Sequence, residues 1–167
     1  ILIMYKTIDN FLDKKDFEEI QGLLTGHTFP WYLQDGVTDP HDGDIQFVHG
    51  FYNHGGSNSD FMIKLMPLIN KMDVFAILRI KANFLYRTDK VIEHGFHTDI
   101  NHARVDQPYK TSIFYINTNN GLTKFKTGEN VESVANRLVT FAGHTEHTGT
   151  TNTCDEPYRI LLNINYV

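Results

Sequence analysis

The sequence predicts a single, mainly β domain, a sandwich or jelly roll with N-terminal helices packed on one sheet. Apolar residues recur at helical spacing only before residue 73. From residue 74 onward, short branched and aromatic stretches alternate with turn residues, and there is no internal repeat. A chain of 167 residues can bury roughly 70% of the surface its unfolded form exposes, so one domain suffices. An apolar fraction of 41% with charge mixed along the chain separates it from disordered sequences.

Residues 3–7 read as a short strand. Asp13 then offers an N-cap with a carboxylate, Asp16, three residues on, and Phe17, Ile20, Leu23 and Leu24 fall on one helical face until Gly26 stops the helix. From Phe29 to Ser59 the pattern dissolves into aromatics, Gly, Asp, Asn and His, with Phe47-Val48 and Phe51-Tyr52 as strand-like fragments; so long an irregular stretch predicts a functional loop. A second helix is expected from Asp60 to Lys71, kinked at Pro67. Strands are expected over 74–86, 111–117, 122–125, 138–141 and 159–167, with a hairpin turn of positive φ at Asn119-Asn120-Gly121 and another turn at 126–129. Residues 1–73 thus form a helical support and lid segment, and 74–167 the β core.

Composition excludes several functions. A net charge of -5 provides no global positive field, so no nucleic-acid partner is expected. The single cysteine, Cys154, rules out a disulfide framework and a multi-thiolate zinc site, which fits a reducing compartment, and the cytoplasm is the expectation. The opening Ile1-Leu2-Ile3-Met4-Tyr5-Lys6 is too short for a signal-peptide core and no later run approaches the ~20 apolar residues of a membrane span, so a soluble protein is expected. With Met4 so near the start, residues 1–3 could precede the native first residue.

The last strand carries the chemical hint. Alternation puts Arg159, Leu161, Asn163 and Asn165 on one face and Ile160, Leu162, Ile164 and Tyr166 on the other. The greasier face suits the helices, leaving Arg159 and two asparagines toward a polar interior that a simple sandwich core would not favour. Upstream, His97-Thr98-Asp99 places an imidazole and a carboxylate on the same face of an extended chain. A third ligand would complete the set of two histidines and one carboxylate that leaves positions on Fe(II) open; His147 is the best candidate, with His144 competing. Arg159 lies 12 residues beyond His147 (159 minus 147), close enough along the chain to share its pocket, and its planar fork suits a dicarboxylate.

Taken in order, Tyr86, His97-x-Asp99, Phe114-Tyr115-Ile116-Asn117, Asn120-Gly121-x-Thr123-x-Phe125, Asn136-Arg137-x-Val139-x-Phe141, His147-x-Gly149 and Arg159 resemble the prolyl-4-hydroxylase-like branch of the Fe(II)/2-oxoglutarate oxygenases, especially its small single-domain phage versions. The resemblance covers residues 74–167 well and the N-terminal region loosely. It implies a double-stranded β-helix, with iron on His97, Asp99 and His147, the distal carboxylate of 2-oxoglutarate on Arg159, and Tyr86 and Tyr115 hydrogen-bonding that cosubstrate. It also implies O₂ as co-reactant. Asp99 fills the position that halogenating relatives leave open for chloride, so hydroxylation is the implied outcome. Analogy suggests a prolyl residue of a peptide or protein as substrate, held between residues 31–56 and the loop from Ile100 to Tyr109; a free amino acid, a nucleobase or another small metabolite stays open. The alternative is a cupin- or lectin-like jelly-roll module that binds metal without turnover. A zinc hydrolase lacks its His-Glu-x-x-His motif here.

Overall fold

The computed structural model describes residues 5–100 and 107–167. Strand β1 (Tyr5–Ile8) precedes helix α1 (Lys14–Thr25). Strands β2 (Tyr32–Asp35), β3 (Ile45–Asn53) and β4 (Gly56–Ser57) follow, then a 3-10 helix (Asp60–Leu65) and α2 (Met66–Met72). The remainder is β5 (Ile77–Tyr86), β6 (Lys110–Tyr115), β7 (Leu122–Phe125), β8 (Asn130–Glu132), β9 (Leu138–Ala142), β10 (His147–Gly149) and β11 (Tyr158–Tyr166).

The architecture is mainly antiparallel β. The large sheet runs β1-β9-β6-β11-β5-β3-β2 with β4 on β3, and the small sheet runs β10-β7-β8. Ile160, Leu162, Ile164 and Tyr166 of β11 fall in one buried cluster with Ile20 and Leu24 of α1 and Leu68 of α2. A second cluster, including Tyr115, Phe125 and Phe141, lies between the sheets' other elements. No helix among the described residues is long and apolar enough to cross a membrane.

Local chemistry explains where the structure departs from sequence expectation. Asp13 caps α1 as expected, its side chain accepting from the Asp16 N–H at 3.0 Å. Pro67 kinks nothing: it sits in the first turn of α2, where its missing N–H costs no bond, after a separate 3-10 helix capped by Ser59. The stretch 31–56 is mostly a hairpin, because β2 pairs with β3 and β3 with β5; its longest irregular run is 36–44, and 54–55 is a tight turn. His49 had hidden β3 from a reading by apolar period. It is buried there because its ring nitrogens bond the Pro30 carbonyl (2.8 Å) and the Ser59 hydroxyl (2.7 Å). Residues 126–129 do join β7 to β8, with Gly128 at φ +107. Neither Asn120 nor Gly121, by contrast, adopts positive φ.

Because Leu162 is fully buried at the centre of β11, Leu162→Ala should lower unfolding free energy by about 2–5 kcal/mol in a denaturant titration, the range for a core Leu truncation.

Candidate active site

Three side chains converge at the mouth of the sheet pair. His97 and His147 are direct antiparallel bridge partners, exchanging two backbone hydrogen bonds of 3.0 Å, which sets their rings 5.1 Å apart. Asp99 follows two residues after His97, and the ligand atoms of all three lie within 4.8 Å of one another. In each histidine Nδ1 donates to a nearby carbonyl, Gly95 for His97 and Thr145 for His147, both at 3.0 Å. That bond fixes the tautomer and leaves Nε2 with a free lone pair. His144 is exposed and takes no part.

Asp99 is held as an anion although buried. Burial alone would raise its pKa, but the two imidazoles, the Arg79 guanidinium at 3.1 Å and the Asn165 amide outweigh it and hold the carboxyl well below the usual range. Asn163 donates to one oxygen (2.8 Å) and Asn165 to the other (3.1 Å). Burial lowers the pKa of His97, favouring the neutral ring that binds metals. Two imidazoles and a carboxylate form the donor set of the two-histidine, one-carboxylate facial site, so the residues fit an Fe(II)-type ion.

A narrow cavity of about 70 Å³ runs from this triad to Arg159, room for several water-sized positions or a slender molecule. Arg159 is 1% exposed; its Nε donates to Ser133 Oγ (2.7 Å) and Nη2 to Thr123 Oγ1 (3.2 Å). Among the described residues no carboxylate pairs with it. Gly121 and Gly149 make its seat: a Cβ on Gly121 would stand 2.5 Å from Arg159 Cδ, and one on Gly149 3.3 Å from Nη1. The Asn120-Gly121 pair therefore serves close approach and not turn conformation. Two further polar atoms in the cavity wall, Asn83 Oδ1 and His94 Nε2, are buried without a hydrogen-bond partner among the described residues.

Tyr115 does not line this cavity. It lies beneath the guanidinium, 5.7 Å from ring centroid to Arg159 Cζ, and its hydroxyl donates to the same Thr123 Oγ1 at 2.7 Å. Tyr86 is exposed on the opposite face of β5, since alternation sends Leu85 inward in its place. His94 gave no sequence signal beyond being near the triad, yet it is buried with Nδ1 donating to Asp44 at 2.7 Å. His102 and most of the Ile100–Tyr109 loop lie outside the described residues.

No protein-family model matches the chain, and no curated protein matches it. Solved structures do, along nearly its whole length. A viral collagen prolyl hydroxylase from Paramecium bursaria Chlorella virus-1, in a 2OG complex, superposes with a TM-score of 0.62 at 15% identity, covering 98% of this chain and 97% of that one. A 2OG-Fe(II) oxygenase family protein from Burkholderia pseudomallei gives 0.67 at 12%, over 99% and 86%. A non-heme alpha ketoglutarate dependent carbocyclase of nogalamycin biosynthesis gives 0.70 at 10%, over 98% and 79%. The chain has the fold of the 2OG-Fe(II) oxygenases. Arg159 and the triad line one cavity in this chain.

Lys81, on the pocket face of β5, is pushed down to about 8, first by burial and then by Arg79, with Asp99 opposing. Below pH 8 the folded protein carries the full cost of that buried charge. Between pH 8 and the ordinary lysine value of 10.5 the folded state loses the proton before the unfolded state does, so stability rises with pH. Lys81→Met should therefore stabilise the metal-free protein at pH 7, with the gain shrinking as pH approaches 10.5 in denaturant unfolding measured across that range.

Proposed function

We propose that this protein is an Fe(II)- and 2-oxoglutarate-dependent dioxygenase that hydroxylates its substrate. The observation that carries this reading is Arg159, a buried cation with no anion among the described residues, at the end of a cavity whose other end is the His97, Asp99 and His147 cluster. An unpaired buried charge costs several kcal/mol, a cost expected where a ligand supplies the missing partner. A metal-binding jelly-roll module without turnover would account for the triad but would leave Arg159 without an anion.

In this reading the large and small sheets are the two halves of a double-stranded β-helix, with α1 and α2 against the outer face of the large sheet. His97, Asp99 and His147 would hold the iron. With 2-oxoglutarate and O₂, iron supplies an oxidant strong enough to convert a C–H bond to C–OH, with succinate and CO₂ as coproducts. Arg159 takes the distal carboxylate through its planar fork, and Thr123 and Ser133 hold that fork in one orientation. Tyr115 acts through Thr123, and Tyr86 has no part. Arg79, Asn163 and Asn165 keep Asp99 ionised and aimed at the metal position. The apolar wall of Leu85, Ile113 and Leu161 would limit water around the cosubstrate. A reducing cytoplasm suits an Fe(II) protein with one free cysteine. The substrate, peptidyl or small, enters from the open side, and no nucleic-acid partner is proposed.

Anaerobic addition of Fe(II) and 2-oxoglutarate should produce a weak visible charge-transfer band. His97→Ala, Asp99→Ala and His147→Ala should each abolish it while leaving the fold intact by circular dichroism, whereas His144→Ala should preserve it. Absence of the band in the wild-type protein would refute the oxygenase reading.

Arg159→Ala should raise the half-saturating 2-oxoglutarate concentration by about 30-fold or more, from a loss of about 2–5 kcal/mol, with iron affinity unchanged. An unchanged 2-oxoglutarate requirement in succinate formation would make Arg159 a structural residue only.

A further inference from the structure

A second and wider space opens on the other side of the triad. This cleft of about 780 Å³ has His97, Asp99, Arg79 and Lys81 on one wall and the 34–40 segment opposite. Lys81 lines both the narrow cavity and the cleft. Its cross-strand neighbours are Asn163 on β11 and Gly50 on β3, and Gly50, with no side chain and open space where a Cβ would stand, leaves the amine uncovered on that side. Among the described residues its Nζ makes no hydrogen bond or ion pair. Arg79, two residues earlier on the same face, is already committed to Asp99, Asn163 and Asn165.

Charge counting shows that the cofactors leave Lys81 uncompensated. A divalent ion, Arg79, Arg159 and Lys81 bring five positive charges to the site; Asp99 and a bound 2-oxoglutarate bring three negative ones. The loaded site would still be positive by two, with Arg159 answered by the distal carboxylate and the metal by the proximal one. Asp35 and Asp39 are exposed acids that also line the cleft; Asp35 already bonds His41 Nδ1, and Asp39 has no side-chain partner among the described residues. One wall therefore calls for an anion and the other tolerates a cation, within a space far larger than a water cluster.

We propose that this cleft binds a small zwitterionic substrate, a free amino acid, with its carboxylate on Lys81 and its ammonium toward the Asp35 and Asp39 rim. The inference rests on the oxygenase reading for the identity of the neighbouring cavity and adds the substrate class to it. Lys81 is a specificity-determining residue: it selects a free carboxylate over the neutral amide that a peptide bond presents. A neutral amide in the same place would leave the ammonium unpaired and gain no ionic hydrogen bond. The depressed pKa of Lys81 agrees with an amine kept buried for a ligand at some cost to stability.

The test uses the full chain loaded with Zn(II), which blocks turnover, and 2-oxoglutarate. Free amino acids and their N-acetyl carboxamides are the probes, read by ligand-observed saturation-transfer NMR with wild type, Lys81→Met and Lys81→Arg. One or more free amino acids should bind and their carboxamides should not; Lys81→Met should weaken that binding about tenfold or more, and Lys81→Arg should retain most of it. Equal binding of acids and carboxamides, no binding of any amino acid, or binding unaffected by Lys81→Met would overturn the proposal. So would a Lys81→Met protein that loses 2-oxoglutarate instead, since Lys81 would then serve the cosubstrate. Titrating 2-oxoglutarate into the wild type in the same samples separates the two readings, because its failure to bind counts against the oxygenase assignment whatever the amino acids do.

Discussion

Alternation along β11 is the constraint on which the rest of the molecule depends. With β6 on one side and β5 on the other, the strand cannot slip by one residue without exchanging its two faces. One face carries Ile160, Leu162 and Ile164 into the main apolar cluster. The other carries Arg159, Asn163 and Asn165 into the space between the sheets, away from bulk solvent. Each must find a partner there, and the partners they find define the site: Ser133 and Thr123 for the arginine, Asp99 for both asparagines. Polar residues inside a sandwich are usually a liability. Here they set where an anion can remain charged inside the protein.

Register with β5 extends that logic by one strand. Arg79 pairs across from Asn165, Lys81 from Asn163 and Asn83 from Leu161, so the polar face of β11 is continued by a row of polar side chains on its neighbour. Asp99 gains its guanidinium from that row. Two of the row's groups, the Lys81 amine and the Asn83 carbonyl oxygen, lack protein partners among the described residues.

Much of this was legible in the sequence, for reasons that can be assigned. The strands after residue 74 follow a period of two with branched and aromatic residues, and β11 showed both of its faces. His97 and Asp99 were legible as a pair because two residues along an extended chain return to the same side. What was not legible depended on long-range partners. The burial of His49 in β3 is decided by Pro30 and Ser59, and Gly121 answers to a side chain 38 positions on (159 minus 121), not to its own turn. Tyr86 looked like a cosubstrate contact by order along the chain, yet which of Leu85 and Tyr86 faces the cavity is set by pairing with β11 and β3. Lys81 gave no sequence signal, because its place beside Arg79 and Asp99 depends on which segments fold over that face of β5.

Structures with this fold include a collagen prolyl hydroxylase and a carbocyclase, so the fold by itself chooses neither polymer nor small molecule. That choice must lie in residues the common chemistry does not require. In the proposed reading the triad and Arg159 would serve metal and cosubstrate, while Arg79 and the two asparagines hold Asp99. Lys81 is the charge left over. A peptide chain laid along the cleft would offer it amides and carbonyls, which can accept a hydrogen bond but cannot neutralise a half-buried ammonium; a carboxylate does both. Retaining a lysine where an apolar residue would be more stable makes physical sense only if the ligand returns that energy on binding, and the ligand best able to do so carries its own negative charge.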